Sequence, residues 1–293
     1  MRFKLAKETV LVVGLGEIGR TLFEILKEKD RFAVYGLDLN EMKMHETAQD
    51  QGKLPKAVDT MHICFSCKER ENFVATVVPY AKRFKPRLLI INSTVPPGTT
   101  KEIQGDCECL VVHSPVRGVH KSPEHMRWEM KRWTKYVGGA DAKASDAACK
   151  HFEKLGLKAK VLKSCVETEL AKLFETTYRA WMIACFQEMH RISRAFGADF
   201  DDVVDFLEDT HRVRLDRPIM FPGFIGGHCL IPNTELLLQS YNSEFLRLIL
   251  KSNQKRREEL KDKKVQKEAE KIASKVEALE KEREERPEEH DCA

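Results

Sequence analysis

Val12-Val13-Gly14-Leu15-Gly16-Glu17-Ile18-Gly19-Arg20 decides the fold. This stretch closes an apolar run that begins at Thr9 and opens a helical pattern over Arg20–Lys29. A second apolar run, Ala33–Asp38, ends in Gly36-Leu37-Asp38, and Asp38 stands 24 residues after Gly14. A lone G-x-G-x-x-G is weak evidence. Set between a strand and a helix, with an acid closing the next strand, it marks a dinucleotide-binding βαβ unit. Gly14 permits the tight turn, Gly16 lets backbone approach a pyrophosphate, and Gly19 lets helix and strand pack closely. The helix start offers N–H groups and the positive end of its dipole to phosphate oxygens. Asp38 is expected to accept from ribose hydroxyls and to repel a 2′-phosphate, so NAD is expected rather than NADP. The expected cofactor contacts are Gly14, Gly16, Glu17, Ile18, Gly19, Asp38, Ser66 and Thr94.

Outward from that unit, apolar runs recur at Met61–Ser66, Leu88–Asn92, Leu110–His113 and Lys135–Val137, and again near Lys158–Leu162. Runs alternating with helical stretches, such as Ala140–Leu157, predict an α/β fold: a doubly wound parallel sheet of Rossmann type. From about Val166 the texture turns all-α. Glu167–Phe196 keeps helical periodicity without Gly or Pro and predicts one long central helix. A helix over Phe200–Asp209 follows, with Asp199 as N-cap. Pro218–Pro232 reads as a Gly- and Pro-rich loop and Thr234–Leu250 as a further helix. The expected division is 1–163 for the NAD-binding domain, 164–250 for a helical domain carrying the cysteine loop, and 251–293 for a charged helical or disordered tail. In the tail, Val265, Ala269, Ile272, Val276 and Leu279 form a narrow apolar stripe. That spacing fits a short coiled-coil seam, but two heptads are few, and the expectation is a solvated, fraying helix.

Composition narrows the partners. With 293 residues, 42% of them hydrophobic, the chain can bury one large core or two ordinary ones. A net charge of +4 on 33% charged residues is too balanced for nucleic acid to be expected. No apolar run approaches the ~20 residues of a membrane span. The start, MRFKLAKETVLVVG, continues directly into the glycine motif and reads as a strand, not a leader, so a cytoplasmic setting is expected. The nine cysteines are then expected to be free thiols. Cys64-x-x-Cys67 has the spacing of a zinc-ligand pair, but Cys64 is expected within a strand, and Cys107-x-Cys109 lacks the two-residue spacer, so no metal is expected. The three tryptophans are expected to pack.

Two segments carry chemistry. Asn92-Ser93-Thr94-Val95-Pro96-Pro97-Gly98-Thr99-Thr100 follows a strand, where open α/β sheets bind ligands. Phe221-Pro222-Gly223-Phe224-Ile225-Gly226-Gly227-His228-Cys229-Leu230-Ile231-Pro232 ends a glycine-rich loop on a cysteine, beside backbone N–H groups able to stabilise a thiolate or oxyanion.

With GLGEIG, STVPPGTT, ELAKLFETTYRA and PGFIGGHCLIP in this order, the chain resembles the UDP-glucose/GDP-mannose dehydrogenase family over roughly residues 8–250. The resemblance implies oxidation of a sugar alcohol to a carboxylate by two hydride transfers to NAD, through a cysteine-bound intermediate. It makes Cys229 the nucleophile, Lys172 the cation facing the substrate oxygen, and Thr94 a holder of the catalytic water. It also implies a homodimer formed through the long helix, with a small molecule of the nucleotide-sugar class as substrate. FAD and S-adenosylmethionine, which also occupy such folds, do not suit these later motifs.

Four departures from the family pattern stand out. Thr176 replaces an asparagine one helical turn after Lys172, and Asn233 replaces an aspartate four residues after Cys229. After the fifth strand, Ser114-Pro115-Val116-Arg117-Gly118-Val119-His120 carries no carboxylate in register; His120 takes the place of the second. The family's second Rossmann-like domain has little counterpart after Asn233. Arg214 and Arg217 lie where the family places a substrate-binding arginine, and spacing selects neither. Two other readings stay open: a β-hydroxyacid-type dehydrogenase that uses Lys172 and no cysteine, and a non-catalytic NAD-binding sensor or scaffold.

Overall fold

The computed structural model describes residues 6–47, 53–118 and 121–285. The chain divides into two compact units, Met1–Leu173 and Phe174–Ala293.

The first unit is an α/β sheet. Its strands are β1 (Glu8–Val13), β2 (Phe32–Leu37), β3 (Thr60–Ile63), β4 (Leu88–Ile91), β5 (Leu110–His113), β6 (Lys135–Gly139) and β7 (Ala159–Val161). They lie in the order β2-β1-β3-β4-β5-β6-β7. Val10, Leu11 and Val12 are completely buried, as are Leu89, Ile90 and Ile91. Continuous apolar runs of this kind suit parallel strands covered by helices on both faces. β1 pairs with both β2 and β3, with Val12 opposite Gly36 on one side and His62 on the other. The connections therefore leave β1 in opposite directions, and the crevice at its carboxyl end is where such sheets bind ligands.

One pairing departs from the expected parallel sheet: β6 runs antiparallel to β5, with Val112 opposite Gly139. Between them lies α5 (Pro123–Arg132), absent from the sequence reading, which Ser122 caps by accepting from the His125 N–H at 3.1 Å. Other boundaries shift. The helix after the glycine turn, α1 (Glu17–Lys27), begins at Glu17 and not at Arg20. β3 stops at Ile63, so Cys64 and Ser66 lie in the loop after it and not within a strand.

The remaining helices of this unit are α2 (Glu41–Glu46), α3 (Arg70–Phe84), α4 (Thr99–Asp106) and α6 (Ala142–Leu155). The division between units falls inside the long helix α7 (Cys165–Ala195), whose 31 residues span about 46 Å.

The second unit is helical: the rest of α7, α8 (Phe200–Arg214), α9 (Leu230–Ser240), α10 (Glu244–Glu259) and α11 (Lys263–Glu285). Asp199 caps α8 by accepting from the Asp201 N–H at 2.9 Å, and the helix runs five residues past Asp209. The single helix expected over Thr234–Leu250 is two. It breaks at Tyr241–Ser243, where the Ser243 hydroxyl accepts from the Leu246 N–H and starts α10.

The tail helix is not left in solvent. Ile272 is buried with Phe186, Phe200, Val204 and Ile219, and Val276 and Leu279 pack on them. Lys271 and Lys275 each reach Asp201 at 2.6 Å, and Glu268 pairs with Arg194 at 2.7 Å. Partly exposed pairs of this kind contribute on the order of 1 kcal/mol each, less than the apolar burial that holds α11 in place. Among the described residues, no helix is long and apolar enough to cross a membrane.

Candidate functional site

In the first unit the glycine turn is built by steric exclusion. Gly14 has φ +90° and donates its N–H to Leu37 O at 2.7 Å. A Cβ at Gly14 would lie 2.9 Å from the Phe65 nitrogen, and one at Gly19 would lie 1.7 Å from Gly14 O. At Gly16 the nearest such atom is Lys43 Nζ, 4.0 Å away. Two glycines thus close the turn, and the third leaves room beside a cation.

Asp38 accepts from the Leu15 N–H on Oδ2 at 2.7 Å and from the Asn40 N–H on Oδ1 at 2.8 Å. Lys43 Nζ lies 4.0 Å from Oδ2. Gly14, Asp38 and Ser66 line one cleft of about 380 Å³, together with Leu37, Leu39 and Phe65. Glu17 and Ile18 stand in the first turn of α1, whose N-cap is Gly16 with no side-chain cap.

Thr94 is half-buried in the turn after β4. That turn is tied to α7 by a residue the sequence reading missed. Glu169 is fully buried and accepts from Gly98 N–H (2.6 Å), Thr100 N–H (2.9 Å) and the Thr100 hydroxyl (2.6 Å). It supplies the acceptors that the Gly98 N-cap of α4 cannot. Burial raises its carboxyl above the ordinary value, while the Thr100 and Gly98 donors oppose the rise. The available signal was an acid three residues before Lys172, paired with a Pro-Pro-Gly turn in need of a cap.

Lys172 is half-buried on α7. Its charge helps to lower the pKa of two buried groups, His113 and Lys135. His113 bonds Ser93 O through Nε2 at 3.0 Å and the Thr168 hydroxyl through Nδ1 at 2.8 Å. Burial, chiefly, holds it at about 3, so the ring is neutral.

Lys135 is the second residue missed. Its Nζ donates to Ser114 O and Pro115 O, both at 3.1 Å. Burial drops its pKa to about 7; Cys64 opposes the drop, and Lys172 and Arg117 add to it. Because the folded value lies below the unfolded one, the folded chain binds fewer protons between pH 7 and 10.5. Stability is therefore expected to rise with pH across the lower part of that window, by about 1.4 kcal/mol per unit from this group. Denaturant melts of wild type and Lys135→Met at pH 7, 8 and 9 check this: equal slopes would refute it.

In the second unit Cys229 is exposed and is the N-cap of α9. Its carbonyl accepts from the Asn233 N–H at 3.0 Å. Asn233 is buried, and its Nδ2 donates to the Thr176 hydroxyl at 3.2 Å. The two positions that differ from the family pattern are thus bonded to each other. His228 and Arg214 are exposed, and Arg217 pairs with Asp216 at 2.7 Å. His120 lies outside the described residues.

None of the eight described cysteines forms a disulfide, and among the described residues no cluster of three or more His, Cys, Asp or Glu could hold a metal. Trp181 packs on Phe245 with ring centroids 4.0 Å apart. Trp133 takes Arg117 and Arg132 on its ring.

Residues 166–255 match the UDP-glucose/GDP-mannose dehydrogenase family, central domain. The UDP-N-acetyl-D-mannosamine dehydrogenase of Methanocaldococcus jannaschii is 27% identical over 277 residues, which are 81% of this chain and 63% of that protein. The chain therefore spans less than two thirds of that relative's length. The structure of UDP-D-ManNAc dehydrogenase from Pyrococcus horikoshii superposes with a TM-score of 0.69 at 20% identity, over 84% of this chain and 68% of that one. The 3-hydroxyisobutyrate dehydrogenase of Mycobacterium tuberculosis gives a TM-score of 0.65 at 15% identity, over 87% and 94%. These superpositions show a Rossmann-type fold.

Proposed function

We propose, from the premise that the chain belongs to the nucleotide-sugar dehydrogenase family, that it is an NAD-dependent oxidoreductase acting on the sugar alcohol of a nucleotide sugar. The observation that carries this reading is Cys229, an exposed thiol at the head of α9, inside the matched span.

The first unit fits a dinucleotide. No Cβ is tolerated at Gly14 or Gly19, open space lies at Gly16 with the Lys43 ammonium beside it, and Asp38 borders the cleft. The turn and the start of α1 would hold the pyrophosphate, and Asp38 the ribose. When bound, NAD accepts the hydride leaving the alcohol carbon.

In this proposal the Lys172 ammonium stabilises negative charge on the substrate oxygen as its proton departs. The Cys229 sulfur adds to the aldehyde carbon, giving a thiohemiacetal whose C–H hydride leaves in the second oxidation. Water, held with help from Thr94, cleaves the resulting thioester to a carboxylate and restores the thiol. Asn233 is an amide and cannot take the water's proton, which in this scheme passes to the departing Cys229 sulfur as the C–S bond breaks, while the acid formed loses its proton to solvent.

A homodimer is part of the reading. Phe174, Tyr178 and Ile192 on α7, and Phe196 just past its end, are each more than half exposed, an apolar surface of the kind a partner subunit covers.

The full chain with NAD and a panel of UDP- and GDP-sugars is expected to form NADH from at least one of them. No turnover on any would sink the substrate assignment. If NAD raised the melting temperature while no alcohol was oxidised, a non-catalytic NAD-binding role would stand instead.

A further inference from the structure

Four polar side chains of the second unit take no part in the proposed chemistry and are buried: Gln187 and His190 on α7, Asn253 and Arg256 on α10. Burying such groups is costly unless each finds partners. Two of them, Gln187 and Asn253, bond to the loop that ends in Cys229, and Arg256 and His190 stand behind them.

The Asn253 amide accepts from the Ile225 N–H through Oδ1 at 2.7 Å and donates to Ile225 O through Nδ2 at 3.0 Å. One side chain thus satisfies both backbone groups of one loop residue, as a neighbouring strand would. Gln187 Nε2 donates to Gly223 O at 2.7 Å, and its Oε1 accepts from the Ser252 hydroxyl at 2.7 Å. Behind them, Arg256 donates to Gln187 O at 2.7 Å and to His190 Nδ1 at 2.9 Å. That bond leaves the His190 proton on Nε2, which donates to Glu268 of α11 at 2.9 Å.

A segment containing Gly223, Gly226 and Gly227 gains much conformational entropy when released, so a single shape needs fixed anchor points. Ile225 is one such point, four residues before Cys229. We infer that Asn253 is the positioning residue of the Cys229 loop: its amide holds Ile225 so that the thiol is presented at the head of α9. Arg256 and Gln187 hold the amide's surroundings. The inference rests on the reading of Cys229 as nucleophile, because a thiol that attacks a bound carbonyl must be placed within a narrow range of distance and angle. Helix-start donors also favour developing charge on sulfur only while the thiol stays beside them.

The test is iodoacetamide labelling of the native full chain at pH 8, with the rate at each cysteine read by peptide mass spectrometry. Asn253→Ala is expected to slow labelling of Cys229 by about five- to tenfold and to speed amide hydrogen exchange in residues 221–229. The half-buried Cys185 of the same unit should label at the wild-type rate. Asn253→Asp keeps an acceptor for the Ile225 N–H and should recover part of the Cys229 rate. An unchanged Cys229 rate, or an equal change at Cys185, would overturn the positioning role. Where a nucleotide sugar is turned over, Asn253→Ala should lower kcat at least thirtyfold with the KM for NAD within twofold of wild type. A chain that oxidises no sugar alcohol refutes the nucleophile reading, while the labelling rates still decide whether Asn253 holds the loop.

Discussion

Gly19→Ala is expected to abolish NAD binding. The added Cβ would lie 1.7 Å from Gly14 O and 3.1 Å from Cys64 Cβ. Neither neighbour can yield cheaply. The Gly14 N–H is bonded to Leu37 O at 2.7 Å and the Cys64 N–H to Val13 O at 2.8 Å, which ties the turn and the loop beneath it to the ends of the central strands. Relief must come from moving α1 away from β1. Overpacking of this kind costs about 1–3 kcal/mol in stability, and the same movement opens the turn that would hold the pyrophosphate.

The readout is the rise in melting temperature with NAD. Saturation at 100-fold over Kd should stabilise wild type by about 2.7 kcal/mol, several degrees for a chain of this size. Gly19→Ala should show no rise. Gly105→Ala is the control, because a Cβ there meets nothing within 4 Å, and the rise should be retained. An undiminished NAD response in Gly19→Ala would show that the dinucleotide binds elsewhere.

The second large effect concerns Cys229 and Lys172. In the proposed reaction the first oxidation needs no sulfur, whereas the second proceeds through it. Cys229→Ser is therefore expected to cut overall turnover by about 10³, roughly 4 kcal/mol of barrier, and to reduce the yield from two NADH per substrate to one. Lys172→Met removes the cation facing the substrate oxygen and should lower both steps by about 10²–10³. NADH stoichiometry and single-turnover rates on a responsive nucleotide sugar separate the two variants. Activity that survives Cys229→Ala but not Lys172→Ala would replace this mechanism with a β-hydroxyacid-type dehydrogenase.

The legible parts of this protein are those where chemistry is local. A βαβ unit with its glycine turn spans about thirty residues, and the steric need at Gly14 and Gly19 is met by neighbours close in the chain or by the adjacent strand. Asp199 announced a helix start for the same reason: its partner is the Asp201 N–H. The break at Tyr241–Ser243 was hidden because helical periodicity continues on both sides of it.

What only the tertiary structure decided is how distant side chains pair when they leave water. Glu169 answers the α4 N-terminus from 69 and 71 residues away. Lys135 holds the Ser114–Pro115 carbonyls across two strands. Asn253 holds Ile225 from 28 residues further on. The apolar stripe of α11 was legible as a stripe, but its partner was not: Phe186, Phe200 and Val204 claim it within the chain. The sequence by itself determined the Rossmann turn, the sheet-then-helix order and the residues able to do chemistry. The tertiary structure determined which buried polar groups are satisfied by which others, since that matching depends on distances through space and leaves no periodic trace along the chain.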